Sequence, residues 1–302
     1  MNKIKSYFKK KTCAIFLFHG VYESTNKYNI INYTNKHIDV TKFFYYLNKF
    51  KNYGQNISID DLVYLNKNKL DFPDNSFIIS FDDGFKNNYN IASKILEDYN
   101  FSSIFYLTSK FIYEGTSSWI DYIEYCVEYS DNLNFDFPWG NQSYSKTKIS
   151  KINFLNKIRK KVKTSSKYDQ NEILDIVQKK AKFDINKFNQ VKLFKKMSLQ
   201  NIKSLEKNNL FTLGGHSHNH KILTHLNKKD LIKDIDRCLY LLNSNLKNKI
   251  KHFSYPEGLK NCFSNEVINL LKKRGIVSSP TAITGTNNKK TDLFRLNRLS
   301  CI

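Results

Sequence analysis

Residues 77–107 have the pattern of a strand, a turn, a helix and a second strand, and this pattern limits the fold more than any other feature. The apolar run Phe77–Phe81 leads into Asp82, Asp83 and Gly84. Residues 88–99 then carry apolar side chains at helical spacing, and Ser103–Leu107 forms a second apolar run. Strands connected in this way lie parallel in one sheet. The sequence therefore predicts an α/β fold.

The same alternation recurs along the chain. Further helices are predicted at 39–51, 230–246 and 266–273, and further strands at 14–18, 210–213, 252–255 and 275–277. His19, Asp82 and His216 each come directly after a predicted strand. Because the active site of a (β/α) barrel lies at the C-terminal ends of its strands, we predict a distorted (β/α) barrel of about seven strands.

Residues 115–197 interrupt this alternation. The segment begins with an aromatic helix that includes Trp119, Tyr122 and Tyr125, and it continues as lysine-rich helical sequence. We predict a single domain over residues 1–302, with a helical insertion at about 115–197 at the C-terminal face of the barrel. The aromatic side chains of the insertion are expected to pack together, and stacking on sugar rings is the alternative.

The chain is strongly basic, with a formal net charge of +22 over 302 residues. Only five of its 49 basic residues are arginines, whereas nucleic-acid-binding proteins favour arginine for bidentate contacts with phosphates and bases. We therefore expect a solvated lysine surface and no nucleic-acid partner. Attraction to an anionic membrane, glycolipid or nucleotide is the alternative.

The cysteines and the apolar runs indicate the cellular compartment. Five cysteines are scattered without CxxC spacing, so that reduced thiols are expected rather than disulfides or a cysteine zinc site. No run of about 20 apolar residues indicates a membrane span. The run at 12–18 continues into His19 without a cleavage site, which favours a strand over a signal peptide. We expect a cytoplasmic protein, with peripheral contact at the inner face of an anionic membrane as a further expectation.

Two short sequence strings carry the carboxylate and imidazole groups that could bind a metal or take part in catalysis. Asp82 and Asp83 end a strand, and His216 and His220 follow Gly214 and Gly215. Imidazoles four residues apart meet on one face of a helical turn, and with one carboxylate they form a metal site with open positions. For each string alone, a polar turn or a surface histidine pair is the alternative. His218, between the two histidines, is expected to be exposed.

These strings resemble motifs of the polysaccharide deacetylases, the NodB-homology group of carbohydrate esterases. SFDDG at residues 80–84 resembles the first motif of this family, and HSHNH at residues 216–220 resembles the second. LFHGV at 17–21 and FSYPEG at 253–258 resemble an N-terminal segment and the third motif. The resemblance extends from residue 14 to about residue 300, and residues 115–197 match poorly.

The resemblance implies a role for each matching position. Asp83, His216 and His220 are expected to bind one divalent metal ion, with zinc as the first expectation, and Asp82 is expected to act as general base. The backbone N–H of Glu257 is expected to donate to the oxyanion. No other cofactor is implied.

The chain departs from the family pattern at two positions, the acid histidine and the arginine of the third motif. Many members carry the acid histidine near the C-terminus, but this chain has no histidine after His252. His19 is the predicted replacement, and a buried structural histidine is the alternative. Ser254 stands where the third motif often has an arginine. Arg298 is predicted to supply the missing charge, with a surface cation as the alternative.

These residues favour a metal-dependent hydrolase. The expected reaction removes an N-acetyl group, or in the alternative an O-acetyl group, from a glycan or from a lipid- or nucleotide-linked sugar precursor. The expected partner is thus an acetylated sugar or glycolipid. A rival interpretation is a basic carbohydrate- or nucleic-acid-binding protein that keeps the fold without turnover. A metal phosphoesterase would need ligands for a second metal, which the sequence does not offer.

Overall fold

The computed structural model describes residues 4–23 and 28–301, which divide into two compact units. The described part of the first unit comprises residues 4–23, 37–115 and 196–301. The second comprises residues 28–36 and 116–195. We describe each unit by itself.

Strands and helices alternate along most of the described chain. The strands are β1 Cys13–Phe18, β2 Gly20–Tyr22, β3 His37–Asp39, β4 Gln55–Asn56, β5 Ser76–Phe81, β6 Ser103–Leu107, β7 Leu133–Phe137, β8 Gly140–Tyr144, β9 Phe211–Gly215 and β10 Leu299–Ser300. The α-helices are α1 Val40–Tyr53, α2 Ile59–Lys67, α3 Ser93–Tyr99, α4 Ser109–Glu114, α5 Trp119–Glu128, α6 Lys148–Thr164, α7 Gln170–Lys180, α8 Ile185–Phe188, α9 Leu199–Glu206, α10 Lys228–Asn243 and α11 Asn265–Lys273. A π-helical turn at Asn88–Ala92 precedes α3.

A parallel sheet forms the centre of the first unit. Its strand order is β10-β1-β5-β6-β9, and the short β4 also pairs with β5. Every strand pair in this sheet is parallel. The strand, helix and strand predicted at 77–107 are confirmed, because β5 and β6 pair in parallel and α3 connects them. The prediction of an α/β fold is therefore confirmed.

The central strands have apolar side chains on both faces because both faces are buried. In β1, Ala14, Phe16 and Phe18 pack into one apolar cluster, while Cys13 and Ile15 pack into a second. The first cluster also contains buried side chains of α1, α9, α10 and α11. This burial explains why the strand sequences are continuous apolar runs and not alternating patterns.

Regular strands at 252–255 and 275–277 were predicted, and this prediction is wrong. Isolated parallel bridges join Gly215 to Phe253, His252 to Ser278, and Pro280 to Leu296. Single bridges replace strands here because the segments are short and Pro256, lacking an N–H group, cannot extend the ladder. The structure thus has a parallel sheet, and isolated bridges extend it beyond β9.

The second unit has a helical core and a β-hairpin. Strands β7 and β8 pair antiparallel around Pro138 and Trp139. Helices α5 and α7 contact each other, and the ring of Tyr122 stacks on Phe188 with centroids 4.3 Å apart. Trp119 and Tyr125 are buried. The expected packing of these aromatic side chains is therefore observed within the unit.

All five cysteines are buried as free thiols, as the sequence analysis expected. Burial raises the pKa of Cys13 and Cys238 to about 12, so both stay protonated at neutral pH. Among residues 4–23 and 28–301, no helix has the length and apolar composition needed to cross a bilayer.

Candidate metal-dependent active site

Asp82 and Asp83 follow the last residue of β5 and turn in different directions. The backbone N–H of Asp82 still bonds to the carbonyl of Phe18 at 3.1 Å, as if the strand continued. Asp83 and Gly84 then both adopt φ of +73°, a left-handed conformation that disfavours most side chains. The strand therefore ends abruptly, and the two adjacent carboxylates separate.

The histidine string follows β9 in a loop that is fixed by its neighbours. Side chains at the preceding residues would collide, because a Cβ on Gly214 would lie 2.5 Å from the Tyr106 ring and one on Gly215 2.9 Å from Phe253. The backbone N–H of His216 donates to the carbonyl of Leu107 at 2.9 Å. The two glycines thus allow β9 to approach its neighbours closely and place His216 at its end.

The helical turn predicted for His216–His220 is wrong. Residues 216–222 form a loop, with φ of +64° at Ser217 and +54° at His220. The Oγ of Ser217 accepts the backbone N–H of His220 at 2.8 Å, and this bond replaces a helical bond. Spacing of four residues is typical of a helical turn, but a loop with two left-handed residues also brings the imidazoles together, with centroids 4.9 Å apart.

Asp234 fixes this loop, and the sequence analysis did not identify it. Its carboxylate accepts the backbone N–H groups of His218 and Asn219 at 2.8 and 3.0 Å. Asp234 is buried on α10, on the same side as the apolar residues Leu231 and Ile235. A carboxylate on the apolar face of a helix was the signal that could have revealed it, because a buried carboxylate needs hydrogen-bond donors.

The loops bring Asp83, His216 and His220 together as the sequence analysis predicted. One potential ligand atom from each residue lies within 4.8 Å of the other two. Asp83 Oδ1 is 3.0 Å from Nε2 of His220 and 3.5 Å from Nε2 of His216. Asp83 and His216 are buried, and His220 is partly buried. Among the described residues, this is the cluster of His, Cys, Asp and Glu side chains with the spacing of a metal site.

The backbone sets the tautomer of His216. Its Nδ1 lies 2.8 Å from the carbonyl oxygen of Ser254. Because a carbonyl can only accept a hydrogen bond, Nδ1 carries the proton and Nε2 presents a lone pair towards Asp83. A histidine that binds a metal through one ring nitrogen commonly donates the N–H of its other ring nitrogen to such an acceptor.

The three residues fit one divalent metal ion. Ligands bound to one zinc ion at about 2.0–2.2 Å lie roughly 3–3.5 Å apart, close to the separations of Asp83 Oδ1 from the two Nε2 atoms. In the described part of the chain, no N–H or O–H group donates a well-aligned hydrogen bond to the buried Oδ1 of Asp83. Such an atom needs a partner, and a cation satisfies it.

Asp82 does not belong to this ligand cluster, because Arg298 holds it. Nη1 and Nη2 of Arg298 donate to Oδ1 and Oδ2 of Asp82, both at 2.9 Å. Arg298 is 1% exposed and also donates to the carbonyl of Thr281. The predicted proximity of Arg298 to the site is therefore observed, and the alternative of a surface cation is excluded by its burial.

Ser254 completes this arrangement as a small polar partner. Nη2 of Arg298 donates to its Oγ at 3.0 Å, and that hydroxyl donates to Oδ2 of Asp82 at 3.4 Å. Burial opposes ionisation of Asp82, but the charges of Arg298 and His216 outweigh it and hold its pKa below the ordinary value. Asp82 is therefore an ionised carboxylate at neutral pH.

The remaining predicted residues lie on neighbouring segments of the first unit. His19 directly follows β1, which pairs with β5, and its charge contributes to lowering the pKa of both Asp82 and Asp83. The strand register places His19 beside Asp82, because Phe18 pairs with Phe81 and the backbone N–H of Asp82 donates to the carbonyl of Phe18. Glu257 lies in the turn after Tyr255, with φ of +62°.

His218 is half-buried, so the expectation that it is exposed is wrong. Its Nδ1 lies 2.8 Å from Oγ of Ser109, and its Nε2 is 3.7 Å from the carboxylate of Glu114. Burial lowers the pKa of His218. It points to the start of α4 and not to the metal ligands.

One protein-family model matches part of this chain. Residues 162–279 match the family model described as polysaccharide deacetylase. The match includes His216, His220 and Ser254, whereas Asp82 and Asp83 lie outside it. A search of curated proteins finds no match.

Solved deacetylase structures share the fold over nearly the whole chain. The Streptococcus pyogenes deacetylase PplD, determined with acetate, aligns with a TM-score of 0.61 at 12% identity, covering 96% of this chain and 92% of PplD. A de-N-acetylase from Aggregatibacter actinomycetemcomitans aligns at 0.59 and 16% identity, covering 95% and 94% of the two chains. IcaB from Ammonifex degensii aligns at 0.59 and 13% identity, covering 98% and 94%.

Residues 162–279 are thus similar in sequence to polysaccharide deacetylases, and the chain shares the fold of the solved deacetylase structures.

Proposed function

We propose that this protein is a metal-dependent deacetylase that removes N-acetyl groups from a glycan or from a lipid- or nucleotide-linked sugar precursor. One observation carries the proposal. The buried Oδ1 of Asp83 faces Nε2 of both His216 and His220, while the adjacent Asp82 is held apart by Arg298. This arrangement gives a metal ligand set and a separate ionised base, from two adjacent aspartates in one loop and two histidines in a second loop.

Asp83, His216 and His220 are the residues that would hold the metal ion. When bound, a divalent ion such as zinc supplies a Lewis acid that polarises an acetamide carbonyl and makes water more acidic. The intact ligand set favours a hydrolase over the alternative of a binding protein without turnover, since binding a sugar does not require a metal site.

Asp82 is the proposed general base. Both of its oxygens accept a bond from Arg298, and Oδ1, which does not also accept from Ser254, keeps a further lone pair for a proton. Arg298 keeps the carboxylate ionised and fixes its orientation. Asp82 removes a proton from the attacking water as the water oxygen bonds to the acetamide carbon.

His19 and Glu257 are proposed to act on the other atoms of the substrate. The backbone N–H of Glu257 donates to the oxyanion that the carbonyl becomes. His19 then donates a proton to the nitrogen as the carbon–nitrogen bond breaks, which releases acetate and the free amino sugar. The position of His19 supports this assignment, because it directly follows Phe18, which pairs with Phe81 just before Asp82.

The proposal also covers the domain organisation, the barrel, the cellular location and an alternative reaction. We assign one NodB-like domain over residues 1–302 with a helical insertion at about 115–197, and a distorted barrel of about seven strands, which the isolated bridges support. We propose a cytoplasmic location, where the basic surface would contact an anionic membrane. O-deacetylation is the alternative reaction.

Acetate release from a panel of acetylated sugars tests the proposed function. The panel contains N-acetylated and O-acetylated oligosaccharides, sugar nucleotides and glycolipids, each assayed with added zinc and with a chelator. We expect acetate from at least one N-acetylated substrate with zinc and none with the chelator. Equal release in both conditions would contradict the metal assignment, and release from no substrate would contradict the function.

Replacing His19 with alanine tests the proposed acid. We expect an amide-hydrolysis rate about 10²–10⁴-fold lower, because the leaving amine is no longer protonated. Metal content should stay at the wild-type value, because His19 is not a proposed ligand. The measurement compares release of acetate from an N-acetylated sugar with hydrolysis of 4-nitrophenyl acetate, whose leaving group departs without a proton.

The two substrates separate an acid from a structural histidine. Loss on the amide alone indicates an acid, and an equal loss on both substrates indicates that His19 only supports the fold. An unchanged amide rate removes His19 from the mechanism. His225→Ala, at a partly buried histidine of the short helix Leu223–His225, is the matched control and should leave both rates unchanged.

A further inference from the structure

The second unit contains a cavity that the proposed reaction does not use. Its volume is about 830 Å³, within the range of roughly 300–1,000 Å³ that small-molecule binding sites occupy. Tyr28, Tyr125 and Tyr129 contribute to its lining, and all of its lining residues belong to the second unit. We call this cavity the tyrosine pocket. It shares no residue with the proposed metal ligands.

Tyr129 presents an exposed aromatic ring at the pocket from a fixed backbone. It is 61% exposed, although its backbone N–H still donates to the carbonyl of Tyr125 at 3.2 Å at the end of α5. The centroids of these two tyrosine rings are 4.8 Å apart. The ring of Tyr125 in turn makes edge contacts with Phe183 and Phe188. Buried aromatic side chains thus support the exposed ring of Tyr129.

Tyr125 adds a hydroxyl group to the lining. Tyr125 is 5% exposed, yet its hydroxyl forms no hydrogen bond with any residue among 4–23 and 28–301. Burial raises the pKa of Tyr125, so the hydroxyl stays protonated at neutral pH and can both donate and accept. Polar groups in protein interiors normally have hydrogen-bond partners, and a ligand in the pocket would supply one.

The charged side chains that line the pocket are two carboxylates and two lysines, namely Glu128, Asp184, Lys182 and Lys187. The lining therefore has no net charge, although the chain carries +22. The carboxylate of Glu128 is already occupied by backbone N–H groups of residues 29–31. Oδ1 of Asp184 caps α8, and its Oδ2, 4.0 Å from Nζ of Lys187, keeps a lone pair for a further donor. This balance suits a neutral ligand that carries hydroxyl groups.

We propose that the tyrosine pocket binds a neutral sugar ring of a glycan. A pyranose ring has an apolar face of C–H groups and a rim of hydroxyl groups. The C–H face stacks on the ring of Tyr129, a rigid side chain with an apolar body. Hydroxyl groups of the sugar bond to the hydroxyl of Tyr125 and to Oδ2 of Asp184. This site goes beyond the proposed reaction, because binding there requires neither a metal ion nor turnover.

Titration with trisaccharides tests the proposed sugar site. Neutral trimers of N-acetylglucosamine, glucose and mannose, and an anionic trimer of galacturonic acid, are titrated into the 302-residue chain by isothermal titration calorimetry. We expect wild type to bind at least one neutral trimer, and to bind it more tightly than the anionic trimer. Tyr129→Ala should weaken this binding about tenfold or more, because the stacking surface is lost. Tyr129→Phe keeps the ring and should retain the affinity.

Three further variants locate the bound sugar. Tyr125→Phe removes only the hydroxyl and should weaken binding roughly three- to tenfold. Tyr64→Ala, at a tyrosine of α2 that is 63% exposed, is the matched control and should leave the affinity unchanged. Asp83→Ala should also leave it unchanged, because the pocket contains none of the proposed metal ligands. Circular dichroism checks that each variant is folded.

Four results would overturn the proposed sugar site. They are binding of no neutral trimer, tighter binding of the anionic trimer, wild-type affinity in Tyr129→Ala, and loss of binding in Asp83→Ala, which would place the sugar at the metal ligands instead. Failure of the deacetylase function is a separate result. If no acetate is released but a neutral trimer binds through Tyr129, the sugar site stands and the proposed reaction falls.

Discussion

Replacing Asp83 with alanine should remove the bound metal and abolish acetate release together. Asp83 provides the carboxylate oxygen that faces both histidines, and no second carboxylate takes its place because Arg298 holds Asp82. Two neutral imidazoles alone bind a divalent ion weakly. Elemental analysis of purified wild type should give about one equivalent of metal per chain, and the variant should give almost none.

Asp98→Ala is the matched control for this change. Asp98 is an exposed aspartate on α3, and its loss should leave metal content and acetate release at wild-type values. His216→Ala and His220→Ala should behave like Asp83→Ala. Retention of one equivalent of metal in Asp83→Ala would show that the metal site lies elsewhere.

Arg298→Met should destabilise the folded protein more than any surface substitution. Arg298 and Asp82 are both buried, and the change leaves the Asp82 carboxylate without its bidentate partner. Removing one member of a buried ion pair costs about 3–5 kcal/mol. Urea unfolding followed by circular dichroism measures this difference, and acetate release should also fall because the base loses its orientation.

A double variant and a surface pair separate the charge effect from loss of packing. Asp82→Asn combined with Arg298→Met removes the unpaired charge, so its stability should recover part of the loss while activity stays low. Arg274 forms a similar bidentate pair with Asp236 at the surface. Arg274→Met should therefore cost about 1 kcal/mol or less. Equal destabilisation by Arg274→Met and Arg298→Met would contradict the account of the buried pair.

The strands and the metal ligands were predictable because local sequence determines them. The apolar runs of β1, β5 and β6 are long enough to identify buried strands, and parallel strands place the residues that follow them at one edge. Asp83 and His216 follow β5 and β9, so the ligand cluster follows from the topology. The sequence therefore predicted the α/β fold and the grouping of Asp83, His216 and His220.

The missed features depend on contacts between distant residues. Asp234 holds the histidine loop from α10, and isolated bridges at His252, Phe253 and Ser278 stand near the strands predicted at 252–255 and 275–277. The helical turn predicted at His216 failed because Ser217 supplies a loop hydrogen bond that spacing alone does not reveal. The pairing of Arg298 with Asp82 spans 216 residues, and only the resemblance suggested it.

The central claim is that the adjacent aspartates have different roles, and Asp82→Asn tests it most directly. This near-isosteric change keeps a side-chain oxygen for Arg298 and leaves the three proposed ligands in place. Metal content and acetate release are measured on the same preparation. The account predicts about one equivalent of metal, as in wild type, with acetate release lowered about 10²–10⁴-fold because the base is lost. Acetate release near the wild-type rate, or loss of the metal together with activity, would contradict it.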